Sequence, residues 1–264
     1  MELTRGTKVL ITGANGGLGQ AMARAFHALG ASLVLSGRRA DALAQVAEET
    51  GARVVVADLG RREDLDRLHQ TTEDMDVVVF NAALPGSGAL LEYTPEQIDK
   101  VLEVNLRGPV QGGRHYAERM VARGRGSLVF ISSISGKVAT QGQSLYNATK
   151  FGLRGFALAL REDLRGTGVG VSTVFPGFIR DAGMFADTGV KLPAGAGTRT
   201  PEDVARAVLR AVRDDVAEVD VAAFEQVLGG YLFPLAPGLV NAIQRASGGG
   251  AIAQRMADAQ RAKR

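Results

Sequence analysis

Short apolar runs alternate with longer amphipathic runs along most of the 264-residue chain. The apolar runs are KVLIT, SLVLS, RVVVAD, DVVVF, SLVFIS and VGVSTVF, at residues 8–12, 32–36, 53–58, 76–80, 127–132 and 169–175, with EVDVA at 218–222 as a candidate seventh. They are continuously apolar, which is typical of strands buried on both faces. Strands that alternate with helices predict one α/β domain, a parallel doubly wound sheet in a three-layer α/β/α arrangement.

Composition excludes several kinds of functional site. The chain has no cysteine, which rules out disulfides, thiolate metal sites and a cysteine nucleophile. Its three histidines, His27, His69 and His115, lie far apart in helix-like stretches. We interpret them as ordinary helix residues, and we predict neither a metal site nor a serine–histidine triad.

The charge balance gives little support to a nucleic-acid partner. The net charge is +3, and four basic residues against one acidic residue in the last ten, RMADAQRAKR, account for much of it. Aromatic residues make up only 5% of the chain and tryptophan is absent, so a base-stacking surface is poorly supported. The first residues do not resemble a secretory signal, and no apolar run has the length of a membrane span. We therefore expect a cytoplasmic protein.

A glycine-rich turn, TGANGGLG at residues 12–19, lies directly between the first strand and the first helix. Gly13, Gly17 and Gly19 allow a sharp turn and a close approach of the backbone to a ligand, and the helix N-terminus offers N–H groups to a pyrophosphate. The spacing differs from the common dinucleotide fingerprint, and such turns also occur for packing alone. Its position at the first strand–helix turn favours nucleotide binding.

The second strand ends in SGRRAD, at residues 36–41. Proteins that bind an unphosphorylated ribose carry an acidic residue here, which accepts from the 2′-hydroxyl. This chain has Gly37 followed by Arg38 and Arg39. A guanidinium can bind a 2′-phosphate in a fork, so the sequence favours NADP over NAD. The alternative is that both arginines only begin a solvated helix.

Asp58, at the end of the third predicted strand, has two compatible interpretations. Its carboxylate can accept a hydrogen bond from an adenine amino group. It can also cap the helix that follows.

Four residues form a candidate catalytic set: Asn105, Ser133, Tyr146 and Lys150. Ser133 follows the fifth strand, at the carboxyl edge where doubly wound sheets bind ligands. Tyr146 and Lys150 stand one turn apart on a predicted helix and share a face. Moving a phenol pKa from about 10 to near neutrality takes about 4 kcal/mol in favour of phenolate. A nearby ammonium acts in that direction, although such pairs also arise by chance.

Together these motifs resemble the short-chain dehydrogenase/reductase family, from about Lys8 to Val212. TGANGGLG fits the family's T-G-x-x-x-G-x-G, YNATK its Y-x-x-x-K and NLRG its N-x-x-G. Ser133 stands 13 residues before Tyr146, as the family's catalytic serine does. The resemblance implies a Rossmann-type fold and an NAD(P)-dependent oxidoreductase.

The resemblance also implies roles for individual residues. Tyr146 is expected to be the general acid/base, Lys150 to lower its pKa and hold the nicotinamide ribose, Ser133 to orient the substrate oxygen, and Asn105 to support a proton relay through water. The residues expected to bind the cofactor are Thr12, Gly13, Asn15, Gly17, Leu18, Gly19, Ser36, Arg38, Arg39, Asp58, Leu59, Asn81, Ala82, Tyr146, Lys150, Pro176, Gly177 and Ile179.

Three features depart from the family pattern. The motif N-N-A-G appears as FNAA at residues 80–83, so one asparagine and the glycine are missing. Asp181 stands after PGFIR, where threonine is frequent in the family. The glycine-rich turn contains no basic residue, so Arg38 is expected to supply most of the preference for a phosphorylated ribose.

Residues 1–223 are expected to form the NAD(P)-binding catalytic domain, and residues 224–264 a helical appendage of the same domain. The segment 178–199 is predicted to be a lid, because it is long and contains Gly and Pro; a mobile surface loop is the alternative. Its Phe178, Met184, Phe185 and Leu192 indicate an apolar alcohol or carbonyl substrate.

The sequence therefore predicts an NADP-dependent oxidoreductase that interconverts a secondary alcohol and a ketone or aldehyde. A cofactor-binding sensor or scaffold without turnover, and a nucleotide-sugar epimerase or dehydratase, are the alternatives. The appendage is predicted to pack over the substrate mouth or a partner subunit, in preference to resting on a lipid surface. By the resemblance we expect a homodimer or homotetramer, formed through the helices that begin near Pro95 and Gln143.

Overall fold

A computed structural model describes residues 1–190, 197–246 and 248–261 of the chain. Its strands are β1 Lys8–Thr12, β2 Ser32–Gly37, β3 Arg53–Val56, β4 Val77–Phe80, β5 Gly126–Ile131, β6 Val169–Pro176 and β7 Glu218–Val221. Its helices are α1 Gly17–Ala28, α2 Asp41–Thr50, α3 Arg62–Thr71, α4 Pro95–Leu102, α5 Gly108–Arg123, α6 Ser144–Asp163, α7 Pro201–Asp214, α8 Phe224–Leu232, α9 Pro237–Ala246 and α10 Gly249–Gln260.

The strands form one parallel sheet in the order β3-β2-β1-β4-β5-β6-β7. The chain winds outward from β1 to β3, then returns past β1 to begin β4. The strand order therefore reverses between β1 and β4, and ligands bind at such a switch point in doubly wound sheets. The predicted fold class is confirmed, and the candidate seventh strand is present as β7.

Helices cover both faces of the sheet, so the predicted three layers are also confirmed. On one face Val9 and Ile11 of β1 pack with α1, α2 and α7. On the other face Leu10 packs with α3, α5 and α6. Neighbouring residues of one strand thus contribute to opposite cores, which is why the strands read as continuous apolar runs.

Local sequence signals set several helix ends. Thr94 accepts a hydrogen bond from the backbone of Gln97, and the Gln97 side chain accepts one from the backbone of Thr94, with Pro95 at the first helical position. This is the predicted capping box. Gly30 follows α1 with φ +77°, a left-handed conformation that glycine adopts without steric cost.

One π-helical turn, Glu103–Arg107, joins α4 to α5. π-helical turns are rare and frequently mark functional sites. Asn105 lies within this turn.

The C-terminal segment is helical and only partly packed. Phe224, Leu235 and Leu239 are 77%, 82% and 60% exposed, so α8, α9 and the turn between them present apolar side chains to solvent. Within residues 1–190, 197–246 and 248–261, no helix is long and apolar enough to cross a membrane.

Two of the three histidines lie on helices, as expected, and are in contact with each other, which the sequence did not predict. The rings of His69 on α3 and His115 on α5 stack with centroids 4.4 Å apart. Burial, followed by the charge of His115, lowers the pKa of His69 to about 4 from 6.5, and burial also lowers the pKa of His115. In the described part of the chain they belong to no cluster of three metal-ligating groups.

This contact predicts that the fold loses stability in mild acid. Because the folded pKa of His69 lies below its unfolded value, its contribution is complete above pH 6.5 and is lost as the pH falls toward 4. We expect His69→Gln to reduce the loss of unfolding free energy between pH 7.5 and pH 5 by roughly 2 kcal/mol. Urea titrations at the two pH values measure it. His27→Gln, at an exposed histidine of α1, is the control, and equal losses in both variants would contradict the assignment.

Candidate active site

A cavity of about 1300 Å³ opens at the carboxyl ends of the strands, beside the switch point between β1 and β4. The predicted site residues that line it are Gly13, Asn15, Gly17, Leu18, Gly19, Ser36, Arg38, Asp58, Leu59, Asn81, Ala82, Ser133, Tyr146, Lys150, Pro176, Gly177 and Ile179. Three other predicted site residues, Thr12, Arg39 and Asn105, are not among the residues that line this cavity.

The glycine-rich turn forms one wall of the cavity through close backbone packing. Gly13 has φ +64°, and a Cβ added there would lie 2.6 Å from the Cα of Ala82. A Cβ on Gly19 would lie 2.6 Å from the Cα of Ala14. These positions leave no room for a side chain, so the turn brings backbone N–H groups at the start of α1 to the cavity surface.

Thr12 acts behind this wall. Its hydroxyl donates to the carbonyl oxygen of Val79 at 3.3 Å and accepts from the backbone N–H groups of Asn81 at 3.0 Å and Ala82 at 3.2 Å. The Asn81 side chain donates in return to the carbonyl oxygens of Thr12 and Gly13, both at 3.0 Å. Thr12 therefore joins the ends of β1 and β4 and shapes the cavity indirectly.

The end of β2 supplies a polar edge without a carboxylate. The hydroxyl of Ser36 is buried and has no hydrogen-bond partner in the described part of the chain. Arg38 is exposed and lines the cavity, whereas Arg39 is exposed and is not among its lining residues. A Cβ on Gly37 would lie 2.7 Å from Oδ1 of Asn15, so the two turns are packed together here. An unpaired hydroxyl beside a guanidinium is a suitable edge for the ribose and phosphate of a dinucleotide.

Asp58 serves the turn before α3. Its Oδ1 accepts from the backbone N–H of Gly60 at 3.0 Å, and its own N–H donates to Asp64 at 2.9 Å. Asp58 and Leu59 also line the cavity. The prediction that Asp58 caps the next helix is wrong, because the N-cap of α3 is Arg61 and Asp58 bonds within the turn before it.

Ser133, Tyr146 and Lys150 converge on the cavity from two elements. Ser133 begins the short 3-10 turn Ile134–Gly136, and its hydroxyl accepts from the N–H of Ser135 at 3.1 Å and donates to the carbonyl oxygen of Pro176 at 3.4 Å. Tyr146 and Lys150 lie one turn apart on α6. The Lys150 ammonium donates to the carbonyl oxygen of Ile131 at 2.9 Å and lies 5.5 Å from the centre of the phenol ring.

Burial sets the protonation of this pair. It raises the pKa of Tyr146 to about 12, while a hydrogen bond with Ser133 acts in the opposite direction. Burial also lowers the pKa of Lys150 to about 8. Burial thus opposes the effect expected of Lys150, because it disfavours the phenolate, and the role of Lys150 in lowering the pKa of Tyr146 stays a prediction. Tyr146 is half-buried at the cavity, and at neutral pH its phenol holds its proton and can donate it.

Asn105 holds the segment after β4 in place. Its side-chain oxygen accepts from the N–H of Leu84 at 2.7 Å, and its side-chain nitrogen donates to the carbonyl oxygen of Leu84 at 2.9 Å. Both polar groups of this buried side chain are thus engaged with one backbone unit. Leu84 itself lines the cavity, so Asn105 acts on the site through Leu84.

The segment after β6 and the C-terminal helices form the apolar side of the cavity. The rings of Phe178 and Phe185 contact each other with centroids 4.8 Å apart, and both residues line the cavity together with Met184. Leu192, predicted for the same wall, lies outside the described residues. The carbonyl oxygen of Met184 accepts from the side chain of Gln260 on α10 at 3.2 Å, which ties this segment to the C-terminus.

Sequence reasoning gave no individual residues of the appendage that face the site. Its lining residues are Glu225, Gln226, Leu228, Gly229, Leu232, Val240, Asn241, Ile243, Gln244, Arg245, Gly250, Ile252, Ala253, Met256 and Gln260. The appendage therefore forms part of the cavity wall, and its packing over a substrate mouth stays a prediction. The only sequence signal was the density of apolar residues after residue 224, which does not specify a direction.

These features fit a dinucleotide cofactor: glycines with no room for side chains, an unpaired Ser36 hydroxyl and a lining guanidinium at the end of β2. Residues 7–191 match the family described as short chain dehydrogenase. The chain belongs to the short-chain dehydrogenase family. It is therefore an oxidoreductase with a Rossmann-type fold for a nicotinamide cofactor.

Known relatives of this short-chain dehydrogenase are similar over most of its length. The ketoacyl reductase HetN of Nostoc sp. is 34% identical over 230 residues, which cover 84% of this chain and 80% of that protein. A putative betaketoacyl-ACP reductase of known structure has a TM-score of 0.78 at 30% identity, covering 86% and 100% of the two chains. A short-chain dehydrogenase from Sphingobium yanoikuyae in complex with NADPH has a TM-score of 0.74 at 27% identity, covering 88% and 95%.

The structure predicts losses of stability of different size when alanine replaces two neighbouring glycines of this enzyme. A Cβ on Gly17 would overlap the methyl group of Ala182, whereas a Cβ on Gly16 would meet only the carbonyl oxygen of Gly13 at 3.6 Å. We expect Gly17→Ala to lower the unfolding free energy by about 1–3 kcal/mol, because of overpacking. Gly16→Ala should cost less than about 1 kcal/mol. Denaturant titrations measure both.

A double variant tests whether the clash with Ala182 causes the loss of stability in Gly17→Ala. Adding Ala182→Gly to Gly17→Ala removes the colliding methyl group and should restore most of the lost stability. If the changes in unfolding free energy of the two single variants simply add in the double variant, the segment around Ala182 does not pack on the glycine-rich turn as described.

Proposed function

We propose that the protein is an NADP-dependent oxidoreductase that interconverts a secondary alcohol and a ketone or aldehyde on an apolar small molecule. The observation that carries this proposal is the convergence of Ser133, Tyr146 and Lys150 on one cavity that Arg38 also lines. A cofactor-binding scaffold has no use for a phenol, an ammonium and a hydroxyl brought together in this way.

In this proposal a bound nicotinamide supplies or accepts the hydride, and the side chains move the proton. The neutral phenol of Tyr146 donates its proton to the substrate oxygen during reduction. Ser133 orients that oxygen when its hydroxyl proton turns from the carbonyl oxygen of Pro176, 3.4 Å away, to the substrate, while the N–H of Ser135 holds the hydroxyl oxygen in place. The Lys150 ammonium stabilises the phenolate that remains after proton transfer, and it is held for this by the carbonyl oxygen of Ile131.

The preference for NADP is argued from the end of β2. Ser36, Gly37 and Arg38 place a hydroxyl and a guanidinium there, where a carboxylate would repel a 2′-phosphate. An NADPH complex of a similar solved short-chain dehydrogenase supports the same cofactor.

The proposed substrate is an apolar carbonyl compound or alcohol. Phe178, Met184 and Phe185 form an apolar wall, and α8 to α10 extend it toward the mouth. The names of two similar proteins refer to ketoacyl reduction, which makes short and long β-ketoacyl thioesters the first compounds to assay beside simple and fused-ring ketones. Loss of NADPH absorbance with any of them supports the proposal. A cofactor-dependent thermal shift without turnover would instead favour the sensor, and turnover of nucleotide sugars alone would favour the epimerase or dehydratase.

We also propose a homodimer or homotetramer through α4, α5 and α6. Val121 on α5 and Leu158 on α6 are 38% and 37% exposed, although both are apolar. Light scattering coupled to size exclusion measures the assembly, and a monomer would contradict it.

Removal of one hydroxyl group tests the acid/base. We expect Tyr146→Phe to lower kcat by about 10²–10⁴-fold while NADPH still binds, because only the transferable proton is lost. Tyr116→Phe is the control, since that hydroxyl is buried against Thr72 at 2.6 Å outside this cavity. Steady-state kinetics and NADPH titration measure the two effects. Full activity of Tyr146→Phe would refute the assignment.

Removal of one guanidinium tests the cofactor preference. We expect Arg38→Ala to weaken NADPH binding by roughly 10–100-fold, the value of charge-assisted hydrogen bonds to a phosphate, with a much smaller effect on NADH. Arg39→Ala is the matched control, because Arg39 is exposed next to it and is not among the cavity-lining residues. Isothermal titration with both cofactors measures the difference. Equal losses for NADPH and NADH would show that Arg38 does not bind the 2′-phosphate.

A further inference from the structure

A group of charges around one buried lysine lies next to the catalytic residues but outside the cavity. We call it the β7 ion cluster; it consists of Lys137, Arg154, Glu218 and Asp220, none of which is among the cavity-lining residues. Lys137 is only 1% exposed. Its ammonium lies 2.7 Å from Asp220 and 3.2 Å from Glu218. The first pair is a direct hydrogen bond.

Glu218 is shared between two cations. Arg154 holds it in a fork, with Nε 2.6 Å from one carboxylate oxygen and a terminal nitrogen 3.1 Å from the other. Burial acts to raise the pKa of Glu218, but the Arg154 hydrogen bond and the Lys137 charge outweigh it, and the pKa lies below its ordinary value. Glu218 is therefore ionised at neutral pH and bridges both cations.

The two cations come from the two elements that carry the catalytic side chains. Lys137 stands four residues after Ser133, at the end of the 3-10 turn that Ser133 begins. Arg154 stands one turn after Lys150 on α6. Through one carboxylate, Glu218 thus connects the segment of Ser133 to the helix of Tyr146 and Lys150.

Phe175 of β6 fixes the spacing of the cluster. The Lys137 ammonium lies 4.1 Å from the centre of its ring, and the Arg154 guanidinium lies 5.7 Å from it. The next residue, Pro176, supplies the carbonyl oxygen to which the Ser133 hydroxyl donates. The cluster therefore contacts both the segment of Ser133 and the strand that orients its hydroxyl.

The burial of Lys137 makes the ion cluster favour one arrangement of the segments that it connects. An ammonium or carboxylate removed from water needs its partner, and a buried charge without one is strongly unfavourable. Displacement of the Ser133 segment relative to α6 would separate Lys137 from Glu218 and Asp220. The cluster therefore favours one arrangement of Ser133 against Tyr146 over its alternatives.

We propose that Glu218 is a positioning residue that sets the Ser133 segment against α6 for proton transfer. This inference rests on the proposed oxidoreductase function for its effect on turnover. The positioning itself is independent of that function and is measurable in the protein without substrate.

A second ion pair on α6 provides a matched control. Arg161 holds Asp215, just before β7, through two nitrogens at 2.7 and 2.9 Å. It joins the same helix to the residues just before the same strand, and in the described part of the chain neither Arg161 nor Asp215 hydrogen-bonds to residues 133–137. Asp215 has φ +49°, a conformation that asparagine also tolerates, so Asp215→Asn removes the charge and keeps the backbone.

The experiment compares Glu218→Gln with Asp215→Asn in the full-length protein. Hydrogen exchange detected by mass spectrometry reports on the peptide that contains residues 133–137. Steady-state kinetics with NADPH and a ketone that the wild type reduces give kcat and KM well below the Tm of each variant. Glu218→Asp keeps the carboxylate charge on a shorter side chain, and it replaces Glu218→Gln in the comparison if the glutamine variant does not fold.

We expect Glu218→Gln to accelerate exchange in residues 133–137 and to lower kcat by roughly 10–100-fold, the cost of a small misplacement of reacting groups. The KM for NADPH should stay within about twofold, because the cluster does not touch the cofactor part of the cavity. Asp215→Asn should lower the Tm but leave both the exchange rate of residues 133–137 and kcat unchanged. For Glu218→Asp, the exchange rate and kcat should lie between those of the wild type and of Glu218→Gln.

Unchanged exchange in residues 133–137, or a loss of kcat no larger than in Asp215→Asn, would overturn the proposal and leave the cluster a purely stabilising one. If the wild type reduces no ketone, the proposed function fails separately. The exchange comparison alone then decides whether Glu218 positions the Ser133 segment.

Discussion

The joint between the ends of β1 and β4 is the constraint on which the site depends. Gly13 approaches Ala82 so closely that no side chain fits, and Thr12 and Asn81 exchange hydrogen bonds across the same gap. This joint lies at the point where the strand order reverses. A backbone held there by sterics and hydrogen bonds leaves its N–H groups at the cavity surface, and it fixes the segment after β4 that Asn105 then secures through Leu84.

The removal of water governs the chemistry of the site more than the spacing of charges does. Tyr146 and Lys150 share a helical face, yet burial raises the pKa of the phenol and lowers that of the amine. The pair thus begins from a neutral phenol, which is the protonation state that the reduction of a carbonyl requires. A further group of charges, the β7 ion cluster, lies outside the cavity, where Glu218 compensates Lys137 and Arg154.

Much of the fold could be predicted because local signals and burial agree. Continuous apolar runs identified the strands, and the box at Thr94 identified the start of α4. For the site, the sequence predicted some residues together with their positions and others without their actual contacts. Residues whose backbone or hydroxyl faces the cavity were found from motifs, whereas Thr12 and Asn105 were assigned to the site without the information that their side chains serve neighbouring backbone groups. The contact between His69 and His115 joins helices 46 residues apart in sequence, and no periodicity within either helix reports it.

The sequence by itself determined the order of the elements, the glycine-rich turn at the first strand–helix junction and the one-turn spacing of Tyr146 and Lys150. These are local properties, set by side-chain periodicity and by the conformations open to glycine. Only the tertiary structure decided which residues of the C-terminal helices line the cavity, which charges meet at Glu218 and how acidic the phenol is. Those outcomes depend on desolvation and on contacts between distant segments, and both arise only when the layers pack together.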